Sequence, residues 1–399
     1  MKNKLLIIAI IFILFSCNSK SITKTINYQS EIPAPVIGAS PVIEDEIITS
    51  PAENIRRYTL NFLAAGDNLL HDSVYLPYMV NGYFDFSSLY TEVKSIVERA
   101  DIAFINQETV MAGAGYGYSG YPLFNVPQAV AGVLADTGFD VVNLANNHAM
   151  DMGRNGLYAT LDYLDTIDEL TVIGARKQGE SARLVTKNNI TLGFLSYAHS
   201  LNGIALPSDN PNLVSMINRT RMEREITDLR PLCDFLIVSV HWGDEYTLQP
   251  VNSQVELARF IAGLNVDLII GHHPHVLQKV ETITLENGKQ TLCYYSLGNF
   301  MSHQRERERI IGGLAAVVFS KTESDLNPAQ LSILNYGIIP VITHYDRGFR
   351  NTKSYPLYLY TDELLQNHAL RNAGSGLTMD FFNSVLERLN TNIIMRNPF

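Results

Sequence analysis

The stretch "VDLIIGHHPHVLQ", residues 266 to 278, places three histidines directly after a run of apolar residues. A turn needs none of these imidazoles, and imidazole is the commonest metal-binding side chain in proteins. The apolar, β-branched run before them is typical of a strand that is buried on both faces. The stretch therefore predicts a buried strand whose carboxyl end carries side chains that can bind metal.

Five other apolar runs also lead into polar residues with ligand chemistry. These runs are "YTLNFLAAGD", "DIAFINQE", "VVNLANNH", "DFLIVSVHWG" and "LCYYSLGNF", and their polar residues are Asp67, Glu108, His148, His241 and Asn299. Stretches with helical spacing lie between several of the runs, at residues 86–100, 125–139, 153–167 and 251–265. Alternating strands and helices predict an α/β layered fold, in which sites form beyond the carboxyl ends of the strands. We therefore expect the six groups of polar residues to meet at one edge of the fold.

The composition is that of an ordinary globular protein. The chain has 399 residues, of which 46% are hydrophobic and 18% charged, a length that suits one large or two modest domains. Its formal net charge of -10 argues against a general nucleic-acid binder, because such proteins carry surplus Lys and Arg. Cys233 and Cys293 border or lie within apolar runs, so we interpret them as free thiols, with a disulfide between them as the alternative.

The N-terminus has the pattern of a secretory signal. Two lysines precede an apolar run, Leu5 to Phe15, that is too short to span a bilayer comfortably. The tetrapeptide "LFSC" resembles a bacterial lipobox, which implies that residues 1–17 are a lipoprotein signal peptide and that Cys17 carries lipid. Residues 18–57 lack a helical period and are predicted to be a flexible tether. We expect a membrane-anchored, extracytoplasmic lipoprotein of the bacterial cell envelope; the alternative is a plain signal anchor with an incidental cysteine.

The motifs together resemble one protein family. In chain order, "AAGDNLLH", "INQETV", "NLANNHAMDMG", "HWGDEY", "GHHPHVLQ" and "YSLGNF" are similar to motifs of the CapA family of poly-γ-glutamate capsule biosynthesis proteins, a branch of the calcineurin-like metallophosphoesterase superfamily. The resemblance covers about residues 58–345. It implies an α/β fold, a four-layer α/β/β/α sandwich of the metallophosphatase type, with residues 346–399 as a C-terminal extension packed on that domain.

The resemblance also implies roles for individual residues. Two divalent metal ions, which are manganese, zinc or iron, are expected at the mouth of the sandwich, and the residues that match their ligands are Asp67, Glu108, Asn147, His241, His273 and His275. Glu108 stands where a carboxylate shared by both ions is expected. His148 matches the histidine that faces the substrate, and Asp151 is placed to orient it. We expect His273 and His275 to point the same way along an extended loop stiffened by Pro274.

The sequence departs from the superfamily at its first motif. The usual Asp-x-His is here Asp67, Asn68, Leu69, so the first metal lacks a histidine and its site is expected to be weak. His71 is a candidate for compensation or for substrate contact. Glu245 is either a substrate or outer-shell carboxylate or a solvated acid. Asn299 is either a substrate contact or a turn cap.

Two classes of function remain open. In the first, the protein is a metal-dependent hydrolase that cleaves a phosphoester or amide bond while an anionic, capsule-type polymer is made, exported or trimmed. In the second, it is a non-catalytic assembly component that binds the polymer or membrane synthase subunits. A metallophosphoesterase with another substrate is a further alternative. Retention of nearly every ligand type favours the first class, whereas the missing histidine favours the second. No nucleic-acid partner is expected.

Overall fold

The computed structural model describes residues 54–179, 182–371, 375–396 and 399. The predicted signal peptide, Cys17 and most of the predicted tether lie outside these residues. Within them, no helix combines the length and the hydrophobicity that a membrane span requires. Cys233 and Cys293 are both free thiols, the first half-buried and the second buried.

The described residues form sixteen strands and eight α-helices. The strands are β1 (Ile55–Asn68), β2 (Met79–Val80), β3 (Tyr83–Phe84), β4 (Ile102–Gln107), β5 (Val141–Asn143), β6 (Thr171–Ile173), β7 (Arg183–Lys187), β8 (Ile190–Ala198), β9 (Phe235–His241), β10 (Leu268–His272), β11 (Val280–Thr284), β12 (Gln290–Tyr294), β13 (Asn299–Met301), β14 (Ile311–Ser324), β15 (Gln330–Asp346) and β16 (Arg350–Pro356). The helices are α1 (Asp72–Tyr75), α2 (Thr91–Val97), α3 (Ala129–Thr137), α4 (Gly153–Leu164), α5 (Arg219–Leu229), α6 (Asn252–Gly263), α7 (Asp362–Asn367) and α8 (Met379–Leu386).

Most of the strands belong to two large sheets. The first has the order β16-β15-β14-β1-β4-β5-β6, with β13 also paired to β1, and the second has the order β11-β12-β10-β9-β8-β7. In the first sheet β1, β4, β5 and β6 run parallel, and in the second β8, β9, β10 and β12 run parallel. Each sheet therefore gathers the carboxyl ends of four parallel strands at one of its edges.

The inner core lies between the two sheets. Leu60, Phe62 and Ala64 of β1 alternate along the strand and pack in one hydrophobic cluster with Phe194 of β8 and Ile270 of β10. The ring centroids of Phe62 and Phe194 lie 6.2 Å apart. Because successive side chains of a strand point to opposite faces, the residues between these ones face outwards.

The outward faces are covered by helices. Leu63 of β1 packs with Ile96 of α2 and Leu134 of α3 on the first sheet. On the second sheet, Val238 of β9 packs with Ile261 of α6. Helices, sheet, sheet and helices therefore follow one another, which confirms the four-layer α/β/β/α sandwich expected from the sequence.

The stretches predicted as helices contain α2, α3, α4 and α6, but α5 was missed. Only Met222, Ile226 and Leu229 of α5 are buried, and charged residues surround them in the sequence. The spacing of these three residues is helical, and the side chain of Asn218 caps the helix by accepting a hydrogen bond from the main-chain N of Arg221, at 3.0 Å. The cap and the spacing were the available signals.

The first sheet extends beyond residue 345, where the predicted domain boundary falls. Strand β16 pairs with β15, and its residue Ser354 is fully buried. Phe382 and Val385 of α8 belong to the same hydrophobic cluster as the inner core. The C-terminal segment therefore contributes both a strand and buried side chains to the sandwich.

Gly271 in β10 allows a close approach of the backbone just before the histidines. A Cβ at this position would lie 2.0 Å from the carbonyl oxygen of Tyr295 and 2.6 Å from Nε1 of Trp242. Trp242 donates a hydrogen bond to that same oxygen, at 2.9 Å, and its ring is buried. Trp242 therefore packs against the strand that carries the histidines, and only glycine fits between them.

We predict that Gly271→Ala destabilises the fold, because the nearest atom is a backbone oxygen that cannot move aside. Overpacking of this kind costs about 1–3 kcal/mol or more. The matched control is Gly132→Ala in α3, where an added Cβ meets nothing within 4 Å. That change is expected to stabilise the helix by about 0.5–1 kcal/mol. Urea unfolding midpoints measure both effects, and equal midpoints for the two variants would contradict this account.

Candidate metal centre

The predicted ligands lie at the edge where the parallel strands end. Asp67 is near the end of β1, Glu108 directly follows β4, and His241 is the last residue of β9. Asn147 and His148 follow β5 after a short turn, and His273 and His275 follow β10. All of these side chains are buried; the most exposed, His148 and His273, are each 6% accessible.

The ligand atoms converge in two main groups that share Glu108. In the first group the ligand atoms of Asp67, Glu108 and His275 lie within 4.8 Å of one another, and in the second the same holds for Glu108, His241 and His273. Asn147 adjoins the second group, because its Oδ1 lies 2.9 Å from Nε2 of His241. Glu108 thus occupies the shared position that two neighbouring divalent ions require.

Asp67 is held from several directions. Asn106 donates a hydrogen bond from Nδ2 to Asp67 Oδ1 at 2.8 Å, and Nδ1 of His272 lies 3.2 Å from the same oxygen. The other oxygen accepts from the main-chain N of His273 at 3.2 Å and lies 3.1 Å from Nδ1 of His275. A buried carboxylate with this many partners has one fixed orientation.

A buried chain of polar side chains supports this arrangement from behind. Oδ1 of Asn106 accepts a hydrogen bond from Nδ2 of Asn143 at 2.8 Å, and Oδ1 of Asn143 accepts one from the hydroxyl of Ser196. Asn106 and Asn143 belong to β4 and β5 in the first sheet, whereas Ser196 belongs to β8 in the second. The chain therefore ties the two sheets together directly beneath Asp67.

The donor set fits divalent cations. Both oxygens of Glu108, Nδ1 of His241 and Nδ1 of His273 are buried and have no hydrogen-bond partner among the described residues. Such orphaned atoms are costly in a protein interior, at about 1–3 kcal/mol each. Carboxylate oxygens and imidazole nitrogens are the ligands of zinc, iron and manganese. The unpartnered oxygens of Glu108 therefore mark a place where cations would supply the missing interaction, and the ring nitrogen of His241 that faces them is Nε2, at 3.5 Å from Oε1.

The pKa values of the two carboxyl groups at the centre are shifted in opposite directions. Burial and the nearby carboxylate of Asp67 raise the pKa of Glu108 well above its ordinary value. Burial also opposes the ionisation of Asp67, but hydrogen bonds from His272 and His275 outweigh it and lower the pKa of Asp67. Without a cation, burial therefore favours the protonated form of Glu108, and a bound metal would favour its carboxylate.

The pKa values of the imidazoles are also shifted in opposite directions. Burial lowers the pKa of His273 to about 3 and that of His241 well below its ordinary value, so both rings are neutral. Burial also acts to lower the pKa of His275, but the carboxylates of Glu108 and Asp67 outweigh it and raise that pKa to about 9. Neutral imidazole is the form that binds metal. A cation bound by the group of Asp67, Glu108 and His275, which we call the Asp67 side, would therefore release the proton of His275.

His148 has an orienting partner. Its Nδ1 lies 2.8 Å from Oδ2 of Asp151, and the same oxygen accepts a hydrogen bond from the main-chain N of Phe124 at 2.7 Å. The ring of Phe124 meets that of His148 edge to face, at a centroid distance of 4.8 Å. Asp151 and Phe124 therefore fix both the tautomer and the orientation of the imidazole, with Nδ1 protonated.

The turn before His148 is also fixed by a side chain. Asn146 donates from Nδ2 to the carbonyl oxygen of Gln107 at 2.9 Å, and its Oδ1 accepts from the main-chain N of His148 at 3.1 Å. This pair of bonds ties the loop after β5 to the end of β4. It brings Asn147 and His148 close to Glu108.

The backbone at the His-x-His pair differs from the expectation of an extended loop. His273 and His275 have φ angles of 95° and 57°, both in the left-handed region. Residues other than glycine rarely adopt this conformation, which costs on the order of 1–3 kcal/mol. The rings reach a centroid distance of 6.0 Å through this strained turn, and not through the alternation of an extended chain. Hydrogen bonds to Asp67 and Asn299 hold the turn in place.

The three remaining sequence candidates have different surroundings. Nδ1 of His71 lies 3.2 Å from the carbonyl oxygen of Leu69, and burial lowers the pKa of His71 to about 4; it is in neither main ligand group. Glu245 is exposed, and its carboxylate lies within 4.8 Å of ring nitrogens of His273 and His275. Asn299 is fully buried and contacts Nδ1 of His275 through Oδ1 at 3.0 Å, so it stands behind a ligand.

Three residues at this edge had no individual role in the sequence analysis, although His272 belongs to the stretch of three histidines from which that analysis started. His272 holds Asp67, Asn202 lies beside Asn147 and His148, and the ring of His199 lies 4.5 Å from that of His273. The run "ITLGFLSYAHS", residues 190 to 200, has the same strand-then-histidine pattern as the runs that were recognised. That pattern was the available signal for His199.

Comparison with known proteins agrees with the motifs. The family model described as bacterial capsule synthesis protein PGA_cap matches residues 61–304. PGA biosynthesis protein CapA of Bacillus subtilis (strain 168) is 34% identical over 177 residues, covering 43% of this chain and 45% of that protein. Capsule biosynthesis protein CapA of Bacillus anthracis is 32% identical over 179 residues, covering 42% of this chain and 41% of that protein. The chain thus spans less than half the length of these curated relatives.

A solved structure, that of a 5'-nucleotidase precursor from Thermus thermophilus, is similar with a TM-score of 0.43 and 15% sequence identity, covering 71% of this chain and 54% of that one. A TM-score of this size supports no argument about function. The family match is different in kind, because it covers more than half of the chain and includes all of the predicted metal ligands. It confirms the resemblance seen in the motifs: the chain belongs to the bacterial capsule synthesis protein family PGA_cap.

Proposed function

We propose that this protein is a metal-dependent hydrolase that acts on a poly-γ-glutamate-like anionic polymer during its synthesis or export. The observation that carries the proposal is the buried His148–Asp151 pair, at 2.8 Å, beside two ligand groups that share Glu108. A site that only bound polymer would not need an oriented imidazole next to its metal ligands. The names of the relatives, which refer to capsule and PGA biosynthesis, support the choice of polymer.

The residues of the chain have separate tasks in this proposal. Two divalent ions bound by the two ligand groups would supply Lewis acidity and charge stabilisation to the scissile bond. His148 holds its Nδ1 proton against Asp151, so Nε2 is the atom that exchanges a proton with the leaving group. Phe124 covers one side of His148 and limits the access of water to the imidazole.

One observation favours the second class of function. Leu69 stands where the superfamily motif has a histidine, and its side chain is buried. The Asp67 side therefore has three protein ligands among the described residues, namely Asp67, Glu108 and His275. If that side stays empty in the cell, the protein is an assembly component that binds polymer or synthase subunits without cleaving the polymer.

We predict that the chain from residue 54 onwards binds between about one and two divalent ions per molecule. Elemental analysis after reconstitution with manganese or zinc measures this number. His273→Ala should lower this number, because the group formed by Glu108, His241 and His273 loses a ligand. The matched control is His368→Gln, since His368 is equally buried but lies against the carbonyl oxygen of Thr343. A wild-type content below about a tenth of an ion would refute the metal centre.

We predict that His148→Ala leaves metal content and thermal stability nearly unchanged but slows turnover by on the order of 10²–10⁴-fold. The reason is that His148 contacts Asp151 and is not a member of either main ligand group. Turnover is measured as the shortening of a γ-linked glutamate polymer by the metal-loaded protein. In a complementation assay, normal polymer amount and chain length with His148→Ala would reject the catalytic role and leave the assembly role.

We also propose that Cys17 anchors the protein to the membrane through a lipid. Cys17→Ser should then release the protein from the membrane fraction or leave an unprocessed precursor of higher mass. Fractionation and immunoblotting of cells that express the full chain measure both outcomes. Unchanged mass together with unchanged fractionation would support a plain signal anchor instead.

A further inference from the structure

His199 directly follows strand β8 and lies beside the metal centre. Ala198, the last residue of β8, pairs with His241 of β9, so His199 emerges beside the ligands at the end of the second sheet. His199 is exposed, and its ring lies 4.5 Å from the ring of His273 and 6.2 Å from that of His241, measured between centroids. No predicted role accounts for a third imidazole here.

One hydrogen bond fixes the tautomer of His199. Its Nδ1 lies 2.9 Å from the main-chain carbonyl oxygen of His241, and the main-chain N of His199 donates to the same oxygen at 3.0 Å. A carbonyl oxygen only accepts hydrogen bonds, so Nδ1 carries the hydrogen. In the neutral ring, Nε2 therefore presents a lone pair and acts as an acceptor.

The free nitrogen distinguishes His199 from the structural histidines of this chain. His303 contacts Ser73 and Thr352 with its two ring nitrogens, and His344 likewise contacts Tyr360 and Asp346. Nε2 of His199, in contrast, has no hydrogen-bond partner in the part of the chain that the structure describes. The unpartnered ring nitrogens of His241 and His273 are buried, whereas His199 is exposed, so a molecule that enters from solvent can reach its Nε2.

His199 lies beside the ligand groups without belonging to them. The sets of ligand atoms that converge within 4.8 Å contain Asp67, Glu108, His241, Glu245, His273 and His275, but not His199. Its Nε2 is therefore available to a molecule other than a bound ion.

The same loop also reaches the other side of the centre. Asn202, three residues after His199, accepts a hydrogen bond from Nδ2 of Asn147 at 3.3 Å and lies 3.4 Å from Nδ1 of His148. The loop thus has one end beside His273 and the other beside His148.

We propose that His199 is a substrate-binding residue whose Nε2 accepts a hydrogen bond from an amide N–H of the polymer. The inference rests on the proposed function and specifies its substrate as an amide-linked chain, since a phosphodiester carries no hydrogen on its bridging atoms. An imidazole nitrogen with a free lone pair accepts a hydrogen bond from an N–H donor and disfavours an anionic oxygen. It therefore recognises the linkage of the polymer, and not its acidic side groups.

The test compares two ligands on two variants. A γ-linked glutamate pentamer is the amide ligand, and the matched probe is the same oligomer with esters in place of the amides, which removes the N–H donors. Calorimetric titration uses the full-length chain, loaded with manganese, in the His148→Ala background so that turnover is slow. His199→Leu removes the acceptor, whereas His199→Gln keeps an acceptor oxygen on its side chain.

We expect His199→Leu to raise the Kd of the amide ligand by about 3- to 10-fold, the usual size of one hydrogen bond. His199→Gln should remain within about 2-fold of the parent protein, because it restores an acceptor. The ester ligand should bind His199→Leu and its parent equally. Metal content should be the same in all of these proteins, since the proposal gives His199 no ligand role.

Three results would overturn the proposal: an unchanged Kd for the amide ligand, an equal loss for amide and ester, or a loss of metal as large as that of His273→Ala. If neither oligomer binds the parent protein, both this inference and the polymer assignment fail. If the amide ligand binds through His199 but is never cleaved by the wild-type protein, this inference stands and the hydrolase proposal fails.

Discussion

The structure depends on keeping two fully buried carboxyl groups, those of Asp67 and Glu108, at the edge where the parallel strands of both sheets end. An ionised carboxylate that is removed from water loses several kcal/mol of solvation unless nearby groups compensate for it. Around Asp67 the protein provides that compensation through Asn106, His272, His273 and His275. Around Glu108 it provides less, because neither oxygen has a hydrogen-bond partner among the described residues and the imidazole nitrogens Nε2 of His241 and Nε2 of His275 lie 3.5 and 3.7 Å from Oε1. This asymmetry makes Glu108 the centre of the cation site.

The polar chain behind Asp67 shows how the fold makes this arrangement rigid. Asn106, Asn143 and Ser196 come from three strands in two sheets, and each is buried and bonded to the next. Buried polar networks in which every member is satisfied specify one arrangement, since any shift would leave a group unpaired. The four-layer sandwich places its apolar residues between and outside the sheets, so the end of the strands is where this network and the site can form. Asp67 and His241 therefore lie in strands, and the other predicted ligands follow the ends of strands β4, β5 and β10.

The sequence was sufficient for an α/β layered fold and for the location of the site, because both follow from local patterns, whereas the four layers were expected from the family resemblance. Apolar runs such as the one before His273 predicted buried parallel strands, and the motifs predicted which side chains would lie at their ends. The roles of residues behind the ligands were not accessible in this way. Asn299 gave no sign that it would contact Nδ1 of His275, since the two residues are 24 positions apart in the chain. The left-handed turn at His273 and His275 was also hidden, because it depends on tertiary hydrogen bonds that override local preference.

The structure shows which residue takes the place of the histidine that the resemblance led us to expect at position 69. Position 69 is occupied by a buried leucine whose main-chain N donates to the carbonyl oxygen of Met301 at 2.9 Å, so this residue serves the core and the sheet. The Asp67 side then has three protein ligands, whereas the other side has Glu108, His241 and His273 with Asn147 beside them. A metal with three protein ligands binds more weakly but keeps an open coordination position, as catalytic zinc sites do. Under the proposed function, three ligands would bind an ion at the Asp67 side more weakly and would leave it more accessible. Occupancy of the Asp67 side would then distinguish a hydrolase from a binding component.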